Sequence, residues 1–63
     1  MKKFVLTTQS NSGDHYMYFI EHSEKPTPDQ LYNWLLKNGN DIDGNNCYEY
    51  PEMVVEIDRF KKL

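Results

Sequence analysis

The sequence predicts a small α+β domain of order β-β-α-β, a three-stranded, mainly antiparallel sheet with one helix packed on one face. Three observations carry that expectation. Residues 3–9 and 15–22 are both rich in β-branched and aromatic types and flank Asn11-Ser12-Gly13-Asp14, a stretch suited to tight reversal. Thr27-Pro28-Asp29-Gln30 is a helix start signal. A third segment, Cys47 to Ile57, again has extended character.

Taken in order, the first two segments read as a β-hairpin. Ser23-Glu24-Lys25-Pro26-Thr27-Pro28 follows, where two prolines stop the second strand. Thr27 then serves as N-cap, and Pro28 sits at the first helical position, where its missing N–H costs nothing. Asp29 lies on the positive helix end, and Gln30 reaches back to close a capping box. The helix carries Leu31, Tyr32, Trp34, Leu35 and Leu36, has Lys37 in its last turn, and is expected to stop at Gly39 in a left-handed conformation. Asn40 to Asn46 reads as a polar loop. The third strand, 47–57, should kink near Pro51, because proline cannot donate to a sheet ladder. Residues 58–63 read as a frayed tail of a single domain spanning 1–63. If the helix returns antiparallel to strand two, strand three pairs antiparallel with strand one and the spatial order is 2-1-3. A parallel pairing beside strand two is the alternative.

Strand alternation places Phe4, Leu6, Tyr16, Tyr18 and Ile20 on one sheet face, with Met53, Val55 and Ile57 expected to join them under the helix. The other face holds Val5, Met17, Phe19 and Val54 beside Thr7, His15, Glu21 and Glu56, so it is mixed rather than polar. The apolar arc of the helix is about 200° wide, more than the ≳ 100° that packing on one sheet requires. One helix cannot cover both faces, and a mixed face with a polar rim marks a surface for a second protomer or another protein.

Composition narrows the function classes. At 63 residues the chain is close to the lower size at which one hydrophobic core suffices, so self-association is a natural route to stability. Its single cysteine, Cys47, allows no internal disulfide and no all-cysteine zinc site, which points to a reducing compartment. The N-terminal Met1-Lys2-Lys3-Phe4-Val5-Leu6 meets Thr7-Thr8-Gln9-Ser10 before an apolar core of signal-peptide length develops, and no run is long enough to span a membrane. A soluble cytoplasmic protein without membrane attachment is the expectation. A net charge of −3 disfavours nucleic acid over the whole domain. The absence of alanine, the six asparagines and the ratio of six lysines to one arginine suit an AT-rich genome such as that of a phage or mobile element.

No catalytic signature emerges, and the chain reads as a non-enzyme without a cofactor. The six carboxylates between Asn40 and Asp58, unopposed by any Lys or Arg in that stretch, are its strongest charge feature. Comparing Asn40-Asp41-Ile42-Asp43-Gly44-Asn45-Asn46 with a calcium loop fails in register: with Gly44 at the sixth position, Gly39 and Tyr50 fall where acidic ligands belong. An irregular, weak calcium site closed by Glu49 or Glu52 is one alternative. His15 and His22 are an odd number apart and face opposite ways in a regular strand, so they do not share a metal. Binding of single-stranded nucleic acid by Lys2, Lys3, Arg59, Lys61 and Lys62 with sheet aromatics is another alternative, opposed by Glu21, Glu56 and Asp58 nearby. The reading adopted is a small acidic protein-binding module, a homodimer or an inhibitor or accessory protein of phage type. Phe19 and Trp34 are its contact candidates, and Asp41, Asp43, Glu49 and Glu52 are expected to steer a basic partner.

Overall fold

Alternation of apolar and polar residues along the first two segments builds a long hairpin in the computed structural model, which describes residues 1–58. Strand β1 (Lys2–Ser10) pairs antiparallel with β2 (His15–His22), matching Leu6 to Tyr18 and Val5 to Phe19. At the turn, Gly13 takes φ of +89°, a backbone angle only glycine adopts at no cost. Helix α1 (Pro28–Asn38) begins as the capping box dictates: the Thr27 hydroxyl accepts from the Gln30 N–H at 3.2 Å, and the Gln30 side chain accepts from the Thr27 N–H at 3.0 Å.

Two short strands, β3 (Ile42–Asp43) and β4 (Asn46–Cys47), form a small hairpin where the sequence suggested a plain polar loop. Its turn has Gly44 at φ +59° followed by Asn45 at negative φ, which matches the glycine-first form of a two-residue hairpin turn. Cys47 is therefore not the opening residue of the third long strand. It is buried at the end of this small hairpin and packs into the core with Leu6, Leu31 and Leu35. The third long strand, β5 (Glu49–Ile57), pairs antiparallel with β1, so the main sheet has the expected order β2-β1-β5.

The register of β5 differs from the simple alternation read from sequence. Thr8 pairs with Pro51 and Thr7 with Met53, so Glu52 is an extra residue, a bulge beside the proline. One extra residue reverses the parity of everything beyond it. Before the bulge, the odd-numbered Glu49 and Pro51 share the helix-facing side with Ser10 and Thr8; beyond it, Val54 and Glu56 lie on that side, opposite Leu6 and Phe4. Met53, Val55 and Ile57, expected beneath the helix, are instead on the far face with Thr7, Val5 and Lys3.

Residues of β1 facing the helix, Phe4, Leu6, Thr8 and Ser10, are all buried. Leu31 and Leu35 supply the helical side of the core, and Tyr18, Ile20, Trp34, Leu36 and Val54 pack around them. Among the described residues no helix is long and apolar enough to cross a membrane. The expected terminal fraying concerns residues of which only Asp58 lies within the described part of the chain.

Candidate functional site

Glu49 has the most unusual environment of the acidic residues. As the first residue of β5 it points inward and is fully buried, with no cation paired to it among the described residues. Four donors compensate. The Thr8 hydroxyl donates to Oε1 at 2.5 Å and the Tyr18 hydroxyl donates to the same oxygen, while the backbone N–H groups of Asn40 and Asp41 donate to Oε2 at 2.8 and 3.4 Å. Burial pushes the Glu49 carboxyl pKa up, but these hydrogen bonds outweigh it and the net shift is downward. The Tyr18 phenol is pushed up to about 12 by its own burial and by donating to this carboxylate.

This arrangement explains Gly39. The left-handed helix stop expected there is absent, since φ is −68° and ψ is 164°. Glycine is required for space: a Cβ at this position would lie 2.7 Å from Glu49 Oε2 and 2.7 Å from the Leu35 carbonyl oxygen. The carboxylate thus ties the chain leaving α1 to β1 and β2. With all its lone pairs engaged and no surface exposure, Glu49 offers a partner no contact, and its charge is used inside the domain.

The remaining acidic candidates separate. Asp41 precedes the small hairpin and Asp43 ends its first strand, while Asp14 and Asp41 both raise the Tyr16 phenol pKa after the effect of its burial. Glu52 leaves that group altogether. Its bulge position turns it onto the far sheet face, where Oε1 lies 3.2 Å from His15 Nδ1. Among the described residues no cluster of three or more His, Cys, Asp or Glu is arranged to hold a metal ion. The 40–46 segment is folded into its hairpin, and the Asp41 carbonyl is used to accept from the Tyr48 N–H at 2.9 Å.

Trp34 and Phe19 also part company. Trp34 is half-buried on α1 and meets the Tyr18 ring edge-to-face, with centroids 5.2 Å apart and planes at 78°, so it belongs to the core periphery. Phe19 stands on the far face at 74% exposure. Its neighbours there are Met17 at 62% exposure, which the sequence placed on this face, and Met53 at 60% and Val55 at 49%, which it placed under the helix. Counting parity from an extra residue beside Pro51, rather than straight through it, would have placed Met53 and Val55 with Phe19.

The open face is consequently an apolar strip with polar ends. Val5, Phe19 and Val55 form one row and Thr7, Met17 and Met53 the next. Lys3, Glu21 and Ile57 close one end; Gln9, His15, Tyr50 and Glu52 close the other. No described helix or strand covers it, because α1 occupies the opposite side. A groove of 720 Å³ runs between the start of α1 and β5, lined by Pro28, Leu31, Tyr32 and Val54 with Lys25, Asp29 and Glu52 among its other residues. No protein-family model, curated protein or solved structure matches this chain.

Proposed function

We propose that this chain is a non-enzymatic protein-binding module that works through the open face of its main sheet. The observation that carries the reading is the exposure of Met17 and Phe19 on β2 and of Met53 and Val55 on β5, on either side of the half-buried Val5 and Thr7 of β1, with the described charged residues of this face confined to its two ends. At about 150–250 Å² for a fully exposed large side chain, these four and Tyr50 leave about 600 Å² of mostly apolar surface in water. That is the top of the ~300–600 Å² range found for the largest patch on soluble monomers, where such patches commonly mark interaction sites.

The charge on this face disfavours a polyanion. Among the described residues Lys3 is outnumbered there by Glu21 and Glu52, so a nucleic-acid strand laid on this part of the sheet would meet more repulsion than attraction. The alanine-free, asparagine-rich composition supports an origin in an AT-rich genome of phage or mobile-element type. An inhibitor or accessory role suits a domain of this size.

The test compares immobilised wild-type protein with Phe19→Asp and Met53→Lys as baits, each first shown to be folded by circular dichroism. A protein retained stoichiometrically by the wild type and lost from both variants is the expected result. Equal retention by all three baits, or none by any, would remove the open face from the function.

A further inference from the structure

We infer that the partner of the open face is a second copy of this chain, stacked face to face with its strands running antiparallel to the first. This rests on the open face being a protein-binding surface, and the argument for the occupant is charge and shape. Two copies related by a two-fold axis lying in the interface have two aligned ways to stack.

With the axis across the strands, each strand lies over its own counterpart, reversed. Phe19 then comes over the partner's Met17, and Val55 over the partner's Met53, so the largest exposed apolar side chains meet apolar side chains. At the ends, Glu21 comes over the partner's His15, and Lys3 over the partner's Gln9, close to the partner's Glu52. Opposite or compatible groups therefore meet at every position of the rim. With the axis along the strands, β1 lies on the axis, so Lys3 comes over the partner's Lys3 and Glu21 over the partner's Ile57. Like charge on like and charge on hydrocarbon both disfavour that arrangement. The antiparallel stack follows from the order of residues on the face, since Lys3 and Glu21 are at one end and His15 and Glu52 at the other.

The area is adequate. Adding the rim to the apolar strip gives a contact of about 1,300 Å² in total, at the low end of the ~1,200–2,000 Å² typical of specific interfaces. The assembly has four layers, helix, sheet, sheet, helix, with the two sheets about 10 Å apart as in aligned β-sandwiches. A 63-residue chain thereby acquires a second core it cannot build alone.

Sedimentation equilibrium of the full chain, over a range of concentrations, reads the association directly. The wild type is expected to move from monomer to dimer with concentration, and Phe19→Asp and Met53→Lys are each expected to weaken the dimer by at least about 10-fold. Orientation is read by cross-linking with a short bifunctional thiol reagent. His15→Cys mixed with Glu21→Cys should link between copies, while either alone should not, because identical residues then lie about 20 Å apart along the strands. The native Cys47 is buried and out of reach.

A dimer in which each cysteine variant links to itself and the mixture does not would overturn the antiparallel stack. A wild-type monomer at every concentration, together with a Phe19-dependent heterologous protein on the bait, would overturn the second-copy inference and leave the protein-binding reading intact. A monomer with no Phe19-dependent partner would overturn both.

Discussion

Replacing Glu49 by glutamine keeps the shape of a fully buried side chain and removes its charge, so it isolates what that charge does. The best placement of the amide keeps its single oxygen facing the Asn40 and Asp41 N–H groups and turns its NH2 toward the Thr8 and Tyr18 hydroxyls. The Thr8 oxygen can accept. The Tyr18 oxygen already accepts from the Asn40 backbone N–H at 3.2 Å and from Asn40 Nδ2 at 2.8 Å, so a further donor finds no free lone pair. The variant therefore leaves one amide N–H without an acceptor and takes from the Thr8 and Tyr18 hydroxyl protons the acceptor they had, so the four charge-assisted hydrogen bonds become neutral ones or are lost. Hydrogen bonds to a charged group contribute about 1.5–3 kcal/mol against about 0.5–1.5 for neutral ones, and part of the difference is returned because an amide is cheaper to bury. A net loss of about 2–3 kcal/mol is expected, from a total of about 3–9 kcal/mol for 63 residues.

Thermal unfolding followed by circular dichroism reads this as a fall in Tm of about 10–20 °C at neutral pH. The pH dependence supplies an independent check. Because the folded Glu49 pKa is lowered from its ordinary 4.5, its stabilisation is complete above that value and is lost as pH falls through the folded value. The Tm difference between wild type and Glu49→Gln should therefore shrink on acidification. A variant as stable as the wild type, or a difference that persists unchanged into acid, would refute the account of a carboxylate held ionised by its four donors. Glu49→Leu should be worse than glutamine at neutral pH, since it leaves the Asn40 and Asp41 N–H groups without their acceptor.

Other consequences follow from the same contacts. One tyrosine should ionise at about 12 in a spectrophotometric titration and be missing in Tyr18→Phe; since its folded pKa is raised from 10.0, its contribution to stability is present below about pH 10 and lost as pH rises toward that higher value. Gly39→Ala should cost about 1–3 kcal/mol in urea unfolding through overlap with Glu49 and the Leu35 carbonyl. Gly39→Asn should be no better, whereas a left-handed helix stop would tolerate asparagine. Thr27→Ala should cost about 1 kcal/mol by removing the acceptor for the Gln30 N–H, with an unchanged denaturant slope.

What was legible in the sequence was local. The Thr27 capping box is complete within four consecutive residues, and the alternation of Phe4, Leu6 and Thr8 with exposed or half-buried neighbours is visible along one strand. The sheet order followed from connection rules and the position of a single helix. The Glu49 cluster had no local trace, since its partners Thr8 and Tyr18 are 41 and 31 positions away and each alone is an unremarkable strand residue. Gly39 was recognised as special for the wrong reason: its position after a helix suggested a backbone angle, while the constraint is the space occupied by a side chain from β5. The small hairpin had its signal in Gly44-Asn45, the glycine-first pair of its turn, but two-residue strands are too short to show alternation. Pro51 marked a disturbance without saying on which side the extra residue would fall. For the open face that choice mattered most, because it decided whether Met53 and Val55 were core or surface.

The bulge at Glu52 makes β5 a strand with two reading frames joined end to end. In the first frame it delivers a carboxylate to the interior, and in the second it delivers hydrocarbon to the exterior. Neither could be had with the other if the alternation ran unbroken, since a strand that buried Glu49 would also bury Met53, Val55 and Ile57. Deleting Glu52 would confront the chain with that choice. A single-codon deletion here would shift half a strand from one side of the sheet to the other while leaving every other side chain chemically as it was.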